Sequence, residues 1–215
     1  MGFATRLREA SWAAHGSAEA EGALSALMRY DDADRDGFLA LHVALLTQLH
    51  FVYDALEHNA AAMRTDPVAA PFADPALTRL PALRADLAHL GHPFRDARPL
   101  PATERYVERL MTSGRAGAGQ FVAHHYTRYL GDLSGGLAVG AKVRQVLGLE
   151  HEDGHRFFRF DAIAPGPFKR AYRQLLDDAP WDETQQQRVI DEVLVAYALN
   201  NAMQSAVLAS TRAAA

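Results

Sequence analysis

"RYLGDLSGGLAVG", residues 128–140, puts glycine at 131, 135, 136 and 140 of a segment whose other residues suit a helix. Each interior glycine costs a helix on the order of 1 kcal/mol relative to alanine, so the cluster needs a physical reason. On a helix, Gly131 and Gly135 share a face and Gly136 lies beside them. Two readings fit that strip: a planar cofactor lying directly on the backbone, or close packing of another segment through small residues. Ser134-Gly135 is also a recognisable kink site, so the spacing predicts a bend there. Arg128 and Asp132, at i and i+4, are placed to pair or to organise water beside the strip.

Working outward, the apolar positions Phe38, Leu41, Leu45, Leu46, Leu49, Val52, Tyr53 and Leu56 recur every three or four residues. This is the stripe of a long amphipathic helix over 34–62. A second such face, from Val189 through Ile190, Val193, Leu194 and Tyr197 to Leu208, follows a capping Asp182. Further helices are expected at 3–28, 76–90, 102–115, 118–148 and 166–177, separated by breaks such as DPVAAPFADP, GHPFRDARPLP and APGPF. No run alternates apolar and polar residues, the breaks are short, and no solenoid repeat or flexible linker is evident. The expectation is an all-α fold forming one domain over 1–215.

The 215 residues are 49% hydrophobic and 22% charged, with a formal net charge of -4, which gives no general attraction for nucleic acid or an anionic membrane. With no cysteine, disulfides, thiolate metal sites and cysteine nucleophiles are excluded, and any metal must be held by histidine or carboxylate. The first residues lack an apolar signal-type core, and the most apolar run, ALHVALLTQLHFVYDALE, is interrupted by His42, Gln48 and His50. A soluble cytoplasmic protein is expected.

HEDGH, residues 151–155, satisfies the zinc-protease pattern H-E-x-x-H. That pattern works only on a helix that aims both imidazoles into a cleft, whereas Gly148 precedes this one and Gly154 interrupts it. A solvated loop is expected instead. His15 stands among Ala13, Ala14, Gly16 and Ala18, so a large flat group has room to approach its imidazole. Glu19, at i+4, is placed to accept the proton of the other ring nitrogen and fix the tautomer. Arg8 lies on nearly the same face, about 10 Å along the axis, where a cation suits an acidic group at a cofactor rim. Lys169 and Arg173, with Tyr172 between, offer a second pair of cations at i and i+4; a solvated basic turn is the plainer reading.

Taken together, YTRYLGDLSGG (126–136), AAHGSAE around His15, YDALE (53–57), ERYVERL (104–110), FKRAYR and YALNN resemble the haem oxygenases over most of the chain. The resemblance implies haem b, both substrate and cofactor, sandwiched between a proximal helix and a kinked distal helix. His15 would be the iron ligand and Glu19 its hydrogen-bond partner. Arg8, Lys169, Arg173 and Tyr126 would hold the propionates. Gly131 and Gly135 would lie against the porphyrin, and Asp132 would organise distal water with Arg128, Tyr53 and Tyr106. Tyr197 and Asn200 fall in a late helix where the family has an aromatic and an asparagine.

The implied reaction cleaves haem with O2 at a meso carbon, alpha being the family default, giving biliverdin, carbon monoxide and ferrous iron. Electrons would come from a separate ferredoxin or flavoprotein reductase, since no reductase motif is present. The lack of a hydrophobic C-terminal tail resembles the soluble bacterial members, and a monomer is expected. Iron acquisition, detoxification and bilin supply all remain open as the purpose. Two departures bear on the site: Arg8 where lysine is common, which keeps charge but not geometry, and Leu137 where glutamine is frequent. A non-degrading haem carrier or sensor is the alternative, which would not need Arg128 and Asp132; a zinc hydrolase built on HEDGH is a more distant one.

Overall fold

The computed structural model describes residues 2–214, the side chains of 13–21, 96 and 214 lying outside the described set. Among the described residues the regular structure is entirely helical. The long central helix α3, Arg35–Ala62, starts where the Asp34 carboxylate accepts from the Gly37 N–H at 3.0 Å, a side-chain cap for one of the unpaired donors of the first turn. All eight stripe residues named above, Phe38 through Leu56, are buried. That burial makes α3 the core element; trimming one of its leucines to alanine would cost about 2–5 kcal/mol. By length and composition the helical span Arg35–Thr65 contains an 18-residue window apolar enough to cross a membrane, but 61% of that window is buried inside the protein.

Around α3 pack α4 (Leu80–His89), α5 (Pro101–Ala116) and α9 (Glu183–Ala214). Proline at N1 of α5 removes a donor the first turn could not satisfy anyway. α9 opens with a reciprocal capping box: Asp182 accepts from the Gln185 N–H at 2.8 Å while Gln185 accepts from the Asp182 N–H at 2.9 Å. The expected 76–90 helix is shorter than its pattern, since a 3-10 turn at Pro75–Leu77 precedes α4.

Two helices differ from expectation in ways that shape the site. The 3–28 segment is broken by Gly22, whose extended backbone (φ -82, ψ 166) separates α1 (Phe3–Glu21) from α2 (Ala23–Arg29). The 118–148 segment is α6 (Ala118–His125), a π-helical turn at Tyr126–Leu130, and α7 (Gly131–Leu147). The irregularity therefore lies upstream of the predicted kink, and α7 runs through Ser134-Gly135 unbroken. An inserted π turn re-aims every side chain that follows it. α7 ends on Gly148 in the left-handed region (φ 61), where the Leu149 N–H returns to the Arg144 carbonyl at 3.0 Å. α8, Pro165–Asp178, immediately precedes α9.

HEDGH lies in a loop, as expected, and not on a helix. The loop is solvated only in its first part: His151 is exposed, whereas Gly154 and His155 are buried. Among the described residues no group of three histidine or carboxylate side chains is placed to hold a metal ion.

Candidate functional site

A cleft of about 460 Å³ opens between α2, α7 and α9. Its α7 wall is glycine-rich, and the four glycines of the opening segment divide between the two readings. Cβ atoms built on Gly131 and Gly135 would meet nothing within 4 Å, so these two present bare backbone to the cleft. A Cβ on Gly136 would come to 3.6 Å from the Phe158 carbonyl oxygen, and one on Gly140 to 2.9 Å from the Phe158 Cβ. Gly140 serves close packing, whereas Gly136 is in ordinary contact with Phe158 and also lines the cleft. The open wall fits a flat ligand, because any side chain at 131 or 135 would fill that space.

The π turn delivers Arg128 to the same cleft. Its guanidinium donates to Asp132 Oδ1 at 2.9 Å and to Asn200 Oδ1 at 2.6 Å, with a long contact to the Tyr53 hydroxyl at 3.5 Å. The Tyr53 hydroxyl donates to Asp132 Oδ2. Tyr53 comes from α3, Asp132 from α7 and Asn200 from α9, so three helices meet at one buried network. Burial pushes the Asp132 carboxyl well above the ordinary carboxylate range and pushes Arg128 down. Burial also pushes Tyr106 up to about 12. Among the described residues, the Tyr106 hydroxyl and Arg128 Nε are buried polar atoms lacking a protein partner, and such groups are normally satisfied by ordered water.

Behind this network stands a second one that sequence reasoning missed. His124 donates from Nε2 to Glu192 Oε1 at 2.7 Å, and Arg109 donates to both Glu192 oxygens, from Nε at 2.8 Å. Burial alone would raise Glu192, but the His124 and Arg109 hydrogen bonds outweigh it and hold the carboxylate at about 2. No spacing rule links 109, 124 and 192; only the packing of α5, α6 and α9 brings them together.

The expected basic residues Arg8 and Arg173 approach Tyr126, outside the residues that line the cleft. Tyr126 is raised by burial, and the opposing influences are a hydrogen bond to the Ser11 side chain and the nearby Arg173 and Arg8 cations. α1 and α8, which carry those two arginines, pack against each other. Lys169 Nζ lies 3.2 Å from Ser134 Oγ, so α8 reaches across to the glycine helix. His15 and Glu19 lie on α1, but their side chains fall outside the described residues. Tyr197 and Asn200 both line the cleft, and Asn200 also braces Arg128. Leu24, Met28, Thr127, Phe158 and Gln204 line it as well; nothing in their spacing distinguished them from core.

The model of the heme oxygenase family matches residues 1–206. The heme oxygenase of Pyropia yezoensis is 36% identical over 162 residues, covering 74% of this chain and 68% of that protein. Heme oxygenase 1 of the cyanobacterium Synechocystis sp. is 31% identical over 206 residues, covering 94% and 83%. Among solved structures, heme oxygenase-1 from Synechocystis in complex with heme aligns with a TM-score of 0.87 at 30% identity, covering all of this chain (100%) and 96% of that one. The heme oxygenase of Leptospira interrogans aligns with a TM-score of 0.86 at 28% identity, covering 96% and 100%. The all-α fold is thus that of a helical oxygenase class. The chain belongs to the haem oxygenase family.

Proposed function

We propose that the chain binds haem b in the α2–α7–α9 cleft and cleaves it oxidatively to biliverdin, carbon monoxide and ferrous iron. The observation that carries the reading is the conjunction of bare backbone at Gly131 and Gly135 with the buried Tyr53–Asp132–Arg128–Asn200 network opening onto the same space. A carrier would need the cleft but not the network. Relatives solved in complex with heme support haem as the ligand.

Haem, bound as substrate, brings the iron at which O2 is activated and the meso carbon that is attacked. The protein's part is placement and protons. His15, on α1, would hold the iron in this reading, with Glu19 as its partner. A neutral imidazole gives none of the electron push a thiolate would supply toward O–O cleavage. Asp132 is the proton-handling group: Tyr53 and Arg128 donate to its two oxygens and fix them, and burial raises its proton affinity above that of an ordinary carboxylate, which suits it to pass protons through water in the cleft. Arg128 is itself locked by Asn200, so the carboxyl cannot swing away. Tyr106, with its unpaired hydroxyl, is where ordered water joins this network. Gly131 and Gly135 leave their part of the cleft wall free of side chains, where a flat ring would have room.

Arg8, Arg173, Lys169 and Tyr126 hold the propionates at the rim, where planar guanidinium forks match carboxylates. Their seating fixes the rotation of the ring and hence which meso carbon, alpha in this reading, faces the Asp132 side. Electrons come from a separate ferredoxin or flavoprotein reductase. The chain acts as one domain and a monomer in the cytoplasm; its cysteine-free composition suits a reducing compartment. The test is haem titration of the protein and of His15→Ala. The parent should give a histidine-ligated Soret spectrum that the variant loses; identical spectra would remove His15 as ligand.

A further inference from the structure

The HEDGH loop and the residues that follow it are anchored to two core helices. Asp86, fully buried on α4, accepts three backbone N–H groups from this stretch: Gly154 at 2.9 Å and Arg156 at 2.9 Å on Oδ1, and Phe157 at 2.8 Å on Oδ2. His42, fully buried on α3, donates from Nε2 to the Gly154 carbonyl at 2.9 Å. Gly154 itself sits at φ 91, a conformation other residues rarely adopt, with Leu149 3.1 Å from where a Cβ would lie. Two core helices thus fix the backbone of 154–157 at both donors and an acceptor.

What this clamp positions is the back of the distal site. Phe157 packs edge-on against the Tyr53 ring at 5.3 Å between centroids, and the Tyr53 hydroxyl is a donor to Asp132. Phe158 stacks on His42 at 6.0 Å and lies against Gly136 and Gly140 of α7. A second cavity of about 330 Å³ lies beyond it, with Arg144 and His155 in its wall, and Phe158 and Asp132 line both cavities. Phe158 and Asp132 therefore stand between the two spaces.

We propose that Asp86 is a positioning residue for the haem-degrading reaction: by holding the 154–157 backbone it sets Phe157 against Tyr53 and keeps Phe158 between the two cavities that Asp132 also lines. This rests on the reading of Asp132 given above. Asp86 touches neither haem nor reacting atoms; it acts through two phenylalanines.

The test compares full-length parent, Asp86→Asn, Gly140→Ala and a control, Asp66→Asn, which removes a similar carboxylate cap on Val68 and Ala69 away from the cleft. Asp86→Asn should speed amide exchange at Gly154, Arg156 and Phe157. In the ferric haem complex it should shift the pH midpoint of the visible spectrum and lower the biliverdin yield per turnover about tenfold, as expected when a proton donor is displaced by a fraction of an ångström, with haem affinity little changed. Gly140→Ala, which drives a Cβ onto Phe158 without touching the clamp, should move the midpoint and yield in the same direction, and it decides the matter if Asp86→Asn does not fold. Faster loop exchange with midpoint and yield equal to the parent, or an equal loss in Asp66→Asn, would overturn the positioning role. If the parent itself leaves haem intact, the reading of the site fails first, and the inference falls with it.

Discussion

Arg128 donates to Asp132 across a single helical step at 2.9 Å, and that step begins in a π turn. The relationship matters because an i, i+4 pair on an exposed helix contributes only a few tenths of a kcal/mol, whereas this one is buried and tied at both ends. The carboxyl is held by Tyr53 and the guanidinium by Asn200. An acid group fixed in this way supplies protons from one defined position.

Asp132→Asn should therefore retain haem binding within a few-fold and lose roughly 10²-fold in the rate of biliverdin formation, the usual scale for removing a positioned general acid. Single-turnover spectra at matched haem occupancy measure this. A biliverdin rate equal to the parent's would take the proton role from Asp132.

Arg128→Leu should cost about 3–5 kcal/mol in urea unfolding, because it leaves a buried carboxylate without its cation. Asp132→Asn in the same background should return part of that loss. Additive effects of the two substitutions would contradict the coupling read from the geometry.

His125 is fully buried, hydrogen-bonded through Nδ1 to the Tyr172 hydroxyl at 2.9 Å and stacked on its ring. Burial lowers its pKa from the usual 6.5 to about 3. The unfolded chain then takes up a proton that the folded chain refuses, so the stability this histidine confers is whole above 6.5 and is lost as pH falls toward 3. Relative to His125→Gln, the parent should lose about 1.4 kcal/mol per pH unit across that window. Urea midpoints at pH 7, 6 and 5 measure the difference, and a gap that stays constant with pH would contradict it.

Lys169→Ala with Arg173→Ala should weaken haem binding or spread the product over several biliverdin isomers, since the ring then loses two of the cations that fix its rotation. Chromatography of the isomers, alongside haem titration, reads both. An unchanged affinity with a single isomer would return this pair to a solvated basic turn.

The long-period parts of the fold were legible in the sequence because burial of one face writes itself into spacing. Every stripe residue from Phe38 to Leu56 is buried, and Asp182 caps α9. Arg128 and Asp132 were legible as a pair because helical neighbours are fixed by local geometry. The π turn was not, since inserting one residue into a helix leaves no compositional trace, and the visible serine–glycine pair pointed to the wrong step. The break at Gly22 was missed because one glycine between apolar helical runs also fits a continuous helix. Asp86, His42 and the His124–Glu192–Arg109 network were invisible for a different reason: each joins helices far apart in the chain, and their residue types are ordinary in isolation. The four glycines carried one signal with two causes, Gly131 and Gly135 opening a cleft and Gly140 admitting Phe158, which spacing alone does not separate.

The most direct test of the account is an aerobic single turnover. The purified protein is loaded with haem, reduced with catalase present, and followed by its visible spectrum. Loss of the Soret band with appearance of biliverdin is the predicted result. Reduced haem that stays intact under these conditions would contradict the account and leave a haem carrier, with the Tyr53–Asp132–Arg128 network serving the fold alone.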